Sequence, residues 1–139
     1  MITFVAVKNP FRSGDTRSYQ KMVGEEEVAE FPSGTVHPVY STFSLARDAE
    51  WSTRLFVLEM KEEDEEGIGT FVEVQHHAPA LVGTVVSFTA SLEEVNGHEI
   101  ICSFKAHVDD RLIASGRTGQ KILKKEKVER LFAALRNEK

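Results

Sequence analysis

Three side chains in the middle of the chain bring together groups that carbonyl chemistry uses: the hydroxyl of Thr42, the carboxylate of Glu50 and the imidazole of His76. A hydroxyl at the start of a helix, next to unpaired backbone N–H groups, can face a developing oxyanion. A carboxylate two turns further along the same helix can attack, activate water or orient a base. A histidine at a strand end has an unperturbed pKa suited to moving protons near neutrality. Each residue also has an ordinary reading. Thr42 can be a helix N-cap. Glu50 can pair with Arg54 at i+4 or Arg47 at i−3, although it shares a helix side with Phe43, Ala46 and Val57. His76 can be a polar strand end, with His77 beside it. Alternation along Val72, Val74 and His76 puts His76 on the valine face and His77 on the opposite one.

These residues need elements to position them. The longest helical segment runs from about Thr42 to Met60, with Ser41 or Thr42 as its cap. Its apolar residues spread around most of the circumference, which predicts a helix enclosed on several sides. Ile68–Val74, Val86–Leu92 and Ile100–Val108 alternate with period two, the pattern of half-buried antiparallel strands, and Arg111–Leu123 is the last strand. Asn96-Gly97 predicts a type I′ hairpin turn, and Asp109-Asp110 a second turn. The expected order is a long helix, a meander of about four strands and a final helix, in which Val128, Leu131, Phe132 and Leu135 form one apolar face. Ahead of the long helix, Thr16–Val23 reads as a strand and Phe31–Val39 as an extended loop containing Pro32, Gly34 and Pro38. The acidic run Glu59–Glu66, six acids against one lysine, reads as a solvated helix end and loop closed by Gly67.

Several other chemistries find no support. His37, His76, His77, His98 and His107 make no zinc spacing, so no metal is expected. Cys102 lies on the apolar face of its strand and reads as a small buried hydrophobe. No Walker-type phosphate loop is present. Arg117, Lys121, Lys124 and Lys125 are either an anion-binding group or a solvated basic strand end.

At 139 residues, 41% hydrophobic and 28% charged, the chain predicts a single soluble domain, 1–139, long enough to build its own core. A net charge of −5 argues against nucleic acid as a partner. One cysteine fits a reducing compartment, and the apolar start, Met1–Lys8, is too short for a signal peptide or membrane span, so a cytoplasmic location is expected.

A family resemblance adds to these readings. Val39-Tyr40-Ser41-Thr42 followed by Glu50, then Gly69-Thr70-x-x-x-Val74-x-His76, Gly83 and the late run Ala114-Ser115-Gly116-Arg117-Thr118, resembles the fluoroacetyl-CoA thioesterase-like branch of hotdog proteins over residues 36–123. The resemblance implies an α+β hotdog fold: an antiparallel sheet of about five strands wrapped around the long helix, with a C-terminal surface helix. It implies an acyl-CoA thioesterase that needs no cofactor, since coenzyme A is part of the substrate. It implies Thr42, Glu50 and His76 as the catalytic set. Val36, Phe43, Gly69 and Arg117 are the candidate substrate-binding residues, Arg117 towards the coenzyme A phosphates. An open sheet edge predicts a homodimer. The fluoroacetyl-specific members carry lid aromatics where Ser33 and Val36 stand here, so fluoroacetyl selectivity is not expected. A hotdog hydratase or dehydratase, or a non-catalytic acyl-CoA-binding module, are the alternatives.

Overall fold

The computed structural model describes residues 7–138, apart from the side chains of residues 35 and 36. Most of the apolar start lies outside the described residues. Strand β1 (Thr16–Met22) leads through a single 3-10 turn to β2 (Val28–Phe31) and β3 (Gly34–Tyr40), then α1 (Thr42–Met60), β4 (Glu65–His76), β5 (Val85–Asn96), β6 (Glu99–Val108), β7 (Arg111–Lys124) and α2 (Lys125–Arg136). The large sheet has the order β1-β5-β6-β7-β4 and is antiparallel throughout. It packs against α1 in the expected α+β hotdog arrangement of five strands, a long helix and a C-terminal helix.

Helix α1 begins where expected because Ser41 caps it, its hydroxyl accepting from the N–H of Ser44 at 3.0 Å. At its other end the Lys61 N–H closes on the carbonyl of Val57. The buried positions, Ser44, Leu45, Asp48, Ala49, Ser52, Thr53, Phe56, Val57 and Met60, form one stripe. That corrects the expectation of an enclosed helix, because Phe43, Trp51 and Leu58 on the remaining surface are exposed. The stripe sits on two core clusters. Tyr40, Leu45 and Ala49 meet Phe88, Phe104 and Ile113 around its first half, while Phe56, Val57 and Met60 meet Leu92, Ile100, Cys102 and Ile122 around its second. Each fully buried large side chain contributes about 1.5–3 kcal/mol. Burial, with Glu93 adding to it, pushes the Cys102 thiol up to about 12, as suits an inert core residue.

Other expectations are corrected. Only β5, β6 and β7 form a meander; β4 crosses over to pair with β7, as the outermost strand on that side. The loop expected over Phe31–Val39 is a hairpin of β2 and β3, turning at Pro32-Ser33 with Gly34 at φ 115°. Proline suits the first corner of a turn, and Pro38, which cannot donate a ladder bond, fits a short two-stranded ribbon. The Gly97-His98 turn joins β5 and β6, with positive φ at Gly97 but not at His98, the requirement of a type II′ rather than a type I′ turn. The Asp109-Asp110 turn is present. The acidic run does not end at Gly67: β4 begins at the buried Glu65, and Gly67 lies inside the strand, where a Cβ would come 2.5 Å from Val57 Cγ1. On α2 only Val128 is buried, while Leu131, Phe132 and Leu135 stay exposed.

Gly116 shows how tightly β4 and β7 approach. It pairs with Val74, and a Cβ there would lie 1.8 Å from the Glu73 carbonyl oxygen and 2.8 Å from a Phe104 ring carbon. Since a backbone atom cannot swing aside, Gly116→Ala should cost about 3 kcal/mol, read as a lowered urea midpoint; an unchanged midpoint would show that the two strands separate freely here.

Candidate active site

Thr42 and His76 are brought together from opposite layers. Thr42 is the first residue of α1, and His76 is the last of β4. Because Ser41 is the N-cap, accepting from the Ser44 N–H, the Thr42 hydroxyl is not needed in that role. It lies 2.9 Å from His76 Nδ1, in hydrogen-bond contact. The other ring nitrogen, Nε2, is shielded from solvent and has no partner among the described residues. Burial pushes the His76 pKa below the ordinary histidine value; His77 adds to this, and the nearby Ala78 backbone opposes it. His77 points the other way, its Nε2 lying 2.8 Å from Ser115 Oγ. The two rings therefore lie on opposite faces of β4, as the alternation predicts.

A shallow cavity of about 310 Å³ opens here, lined by Val39, Thr42, His76, His77, Ala78 and Pro79. Thr42 also lines a larger cavity of about 860 Å³ between the β2–β3 hairpin and α1, where Phe31, His37, Phe43 and Arg47 contribute. Phe43 is 82% exposed. Val36 lies on β3, with its side chain outside the described residues.

Glu50 is half-buried and makes neither of the ion pairs its spacing allows. Arg54 instead donates to the Gly67 carbonyl at 3.0 Å and to Gln120 Oε1 at 3.3 Å. Arg47 donates to Glu27 at 2.7 Å and to Asp48 at 3.3 Å. The Glu50 carboxylate rests over Gly69, where a Cβ would stand 2.6 Å from Oε2. Its turn of helix is pinned to the sheet through Thr53, whose hydroxyl donates to the Glu50 carbonyl at 2.9 Å. That hydroxyl accepts from Thr118 at 2.7 Å and Gln120 at 3.2 Å. Glu50 makes no hydrogen bond to Thr42 or His76; it follows Thr42 by eight residues, about 12 Å of helix rise. Arg117 is brought to neither. It sits on the face of the sheet away from α1, held by Glu93 at 3.0 Å.

Sequence reasoning missed the buried polar groups behind the site. Tyr40 donates its hydroxyl to Asp48, and both are buried. Glu27, also buried, accepts from Lys21, Arg47 and the Gly24 N–H. The signal was present in the spacing: Asp48 falls on the same helical stripe as Leu45, Ala49 and Ser52. Among the described residues no group of three or more His, Cys, Asp or Glu could hold a metal ion, and no helix is long and apolar enough to cross a membrane.

The helix-on-sheet architecture and this site define a member of the hotdog thioesterase superfamily, and comparison with known proteins makes the class specific. The model of the fluoroacetyl-CoA-specific thioesterase family, FlK, matches residues 23–126. A thioesterase superfamily member from Thermus thermophilus is 38% identical, covering 91% of this chain and 94% of its own, with a TM-score of 0.87. The fluoroacetyl-CoA thioesterase FlK shares the fold at 24% identity, covering 94% of this chain and 99% of its own, with a TM-score of 0.81. A hot-dog-like protein from Thermanaerovibrio acidaminovorans does so at 20% identity, 93% and 96% coverage and a TM-score of 0.85. No curated protein matches the sequence. The chain belongs to the FlK thioesterase family and is a thioester hydrolase.

The contact between Glu50 and Gly69 generates a prediction. Gly69→Ala should displace the carboxylate and lower thioester hydrolysis at least about tenfold with little change in melting temperature. Unchanged turnover would show that Glu50 does not need its present seat.

Proposed function

We infer that the protein hydrolyses an acyl-CoA thioester to a free acid and coenzyme A, with Thr42, Glu50 and His76 as the reacting set. The observation that carries this reading is the contact of Thr42 Oγ1 with His76 Nδ1 at 2.9 Å, beside a second ring nitrogen that has no partner among the described residues. A variant of FlK has been solved in complex with acetyl-CoA, which supports the coenzyme A part of the substrate.

With the thioester carbonyl at the start of α1, the Thr42 hydroxyl and the nearby backbone N–H groups stabilise the negative charge on its oxygen. Glu50, carrying no cation of its own, supplies the carboxylate that attacks the acyl carbon or takes a proton from the attacking water. The C–S bond breaks, and the departing thiolate takes a proton from the His76 imidazolium; where Glu50 has attacked, water then cleaves the resulting anhydride, releasing the acid and restoring the carboxylate. Phe43 and Gly69 line the acyl path in this reading, with Val36 at its hairpin side. Arg117 reaches a coenzyme A phosphate when its pair with Glu93 opens. In this reading the reaction uses no cofactor, and the protein works in the cytoplasm.

The reading includes a homodimer. β4 is an outermost strand of twelve residues, and its free edge is a template for pairing with a second copy. Phe43, Trp51 and Leu58 add exposed apolar surface on α1.

Release of free thiol from a panel of acyl-CoA substrates tests the function. Glu50→Gln and Thr42→Ala should each lower kcat about a hundredfold or more without lowering the melting temperature. Because burial lowers the His76 pKa, the imidazolium that protonates the thiolate is lost at lower pH than usual. The limb on which the rate falls with rising pH should therefore lie below about 6.5. Coenzyme A binding without turnover of any substrate would favour the non-catalytic module instead.

Selectivity is the second test. Ser33 occupies the tip of the β2–β3 hairpin, and it is exposed. A serine there gives a fluorinated methyl group no apolar surface, and one small substituent is worth only about 1–3 kcal/mol in any case. Fluoroacetyl-CoA and acetyl-CoA should have kcat/KM values within about tenfold of each other. A large preference for the fluorinated substrate would show that other residues rebuild the lid.

A further inference from the structure

Tyr40 stands where the two halves of the site are joined. It is the last residue of β3, two positions before Thr42, and it is 1% exposed. Its backbone N–H donates to the carbonyl of Ala80 at 2.8 Å. Ala80 lies four residues beyond His76, in a segment anchored by the His77 and Ala78 N–H groups, both donating to the Ile113 carbonyl. The side chain of Tyr40 reaches the other way. Its hydroxyl donates to Asp48, which is 4% exposed and lies on the second turn of α1, six residues past Thr42. One residue thus holds the His76 segment with its main chain and the Thr42 helix with its side chain.

The far end of this link is anchored as well. Asp48 also accepts from Arg47, and Arg47 donates to Glu27, whose carbonyl accepts from the Ser41 N–H at 2.8 Å. Lys21 on β1 holds the same Glu27 carboxylate at 3.0 Å. Burial alone would raise the Glu27 pKa, but the Gly24 N–H, Lys21 and Arg47 together hold it below its usual value. The carboxylate is therefore charged wherever the enzyme would work. Burial and the hydrogen bond to Asp48 hold the Tyr40 phenol far above its usual range, so it donates throughout. A buried polar cluster of this kind contributes little net stability compared with apolar packing of the same shape. What it supplies is a fixed geometry at the turn from β3 into α1.

We propose that Tyr40 is a positioning residue for the reaction: its hydrogen bond to Asp48 sets the approach of the Thr42 hydroxyl to His76. The proposal rests on the reading of Thr42 and His76 given above. Misplacing a reacting group by an ångström can cost about a hundredfold in rate, so a bond that never touches substrate can still govern turnover.

The experiment is a double-mutant cycle in thioester hydrolysis, run on the whole chain. Tyr40→Phe keeps the ring and the backbone bond to Ala80 and removes only the hydroxyl. It should lower kcat about tenfold or more and leave KM within about twofold. In a Thr42→Ala background the same change should cost nothing further, since the group it positions is gone. Equal losses in both backgrounds would mean that Tyr40 acts on general stability, and would overturn the proposal. So would an unchanged kcat in Tyr40→Phe. A wild-type rate in Thr42→Ala alone would instead overturn the reading of the reacting set. Should Tyr40→Phe fold poorly, Asp48→Asn keeps the shape and an oxygen acceptor for the Tyr40 hydroxyl. It should hold kcat within about threefold of wild type, and a tenfold loss there would overturn the proposal in turn.

Discussion

The site depends on how the first turn of α1 satisfies its unpaired backbone N–H groups. A helix start leaves four such donors without intrahelical acceptors, and an unmet buried donor costs about 1–3 kcal/mol. Here Ser41 meets one of them, its hydroxyl accepting from the Ser44 N–H. Thr42, the next residue, has the same functional group and is left without that duty. Its hydroxyl can therefore lie 2.9 Å from His76 while the helix still starts cleanly. Had Thr42 been the cap, the contact to the imidazole would compete with the stability of the helix.

Holding that geometry requires more than apolar packing. The Leu, Phe and Ile contacts of α1 are non-directional, and a helix resting on them can slide or rotate by a fraction of an ångström at small cost. Two buried polar clusters remove that freedom. One ties the start of α1 to β1 and β3 through Tyr40, Asp48, Arg47, Glu27 and Lys21. The other ties its middle to β7 through Thr53, Thr118 and Gln120. Hydrogen bonds are directional and each unmet partner is costly, so the clusters fix rotation and register where the apolar stripe fixes only the face.

Much of this was legible before the structure. The limits of α1, the alternation of β5 and β6, and the face of His76 all follow from periodicity, because burial of one face leaves a repeating trace in the sequence. The β2–β3 hairpin was not legible, since its four-residue β2 is too short to show a period and Pro38 argues against a strand. The crossover of β4 to β7 was equally hidden: strand order is decided by long-range packing, and nothing within Ile68–Val74 names its neighbour. The circumference of α1 misled because Phe43, Trp51 and Leu58 are apolar yet exposed, and apolar residues on a surface are common. Thr42, Glu50 and His76 were picked out by residue type and family resemblance. The structure puts Thr42 beside His76 and Glu50 beside Gly69.

The unpaired state of Glu50 has a physical cause in its surroundings. Two guanidiniums lie within helical reach of it, Arg47 at i−3 and Arg54 at i+4, and either could neutralise it. Both have been given other partners. Arg47 meets two buried carboxyl groups, Glu27 and Asp48. Arg54 meets a main-chain carbonyl and the Gln120 amide oxygen. A carboxylate held by a guanidinium has its basicity lowered and its lone pairs occupied. Free of both, Glu50 sets its carboxylate over the backbone of Gly69, in the space a side chain there would fill. Glu27 and Asp48 thus draw Arg47 away from Glu50, and the Glu50 carboxylate is left without a guanidinium partner.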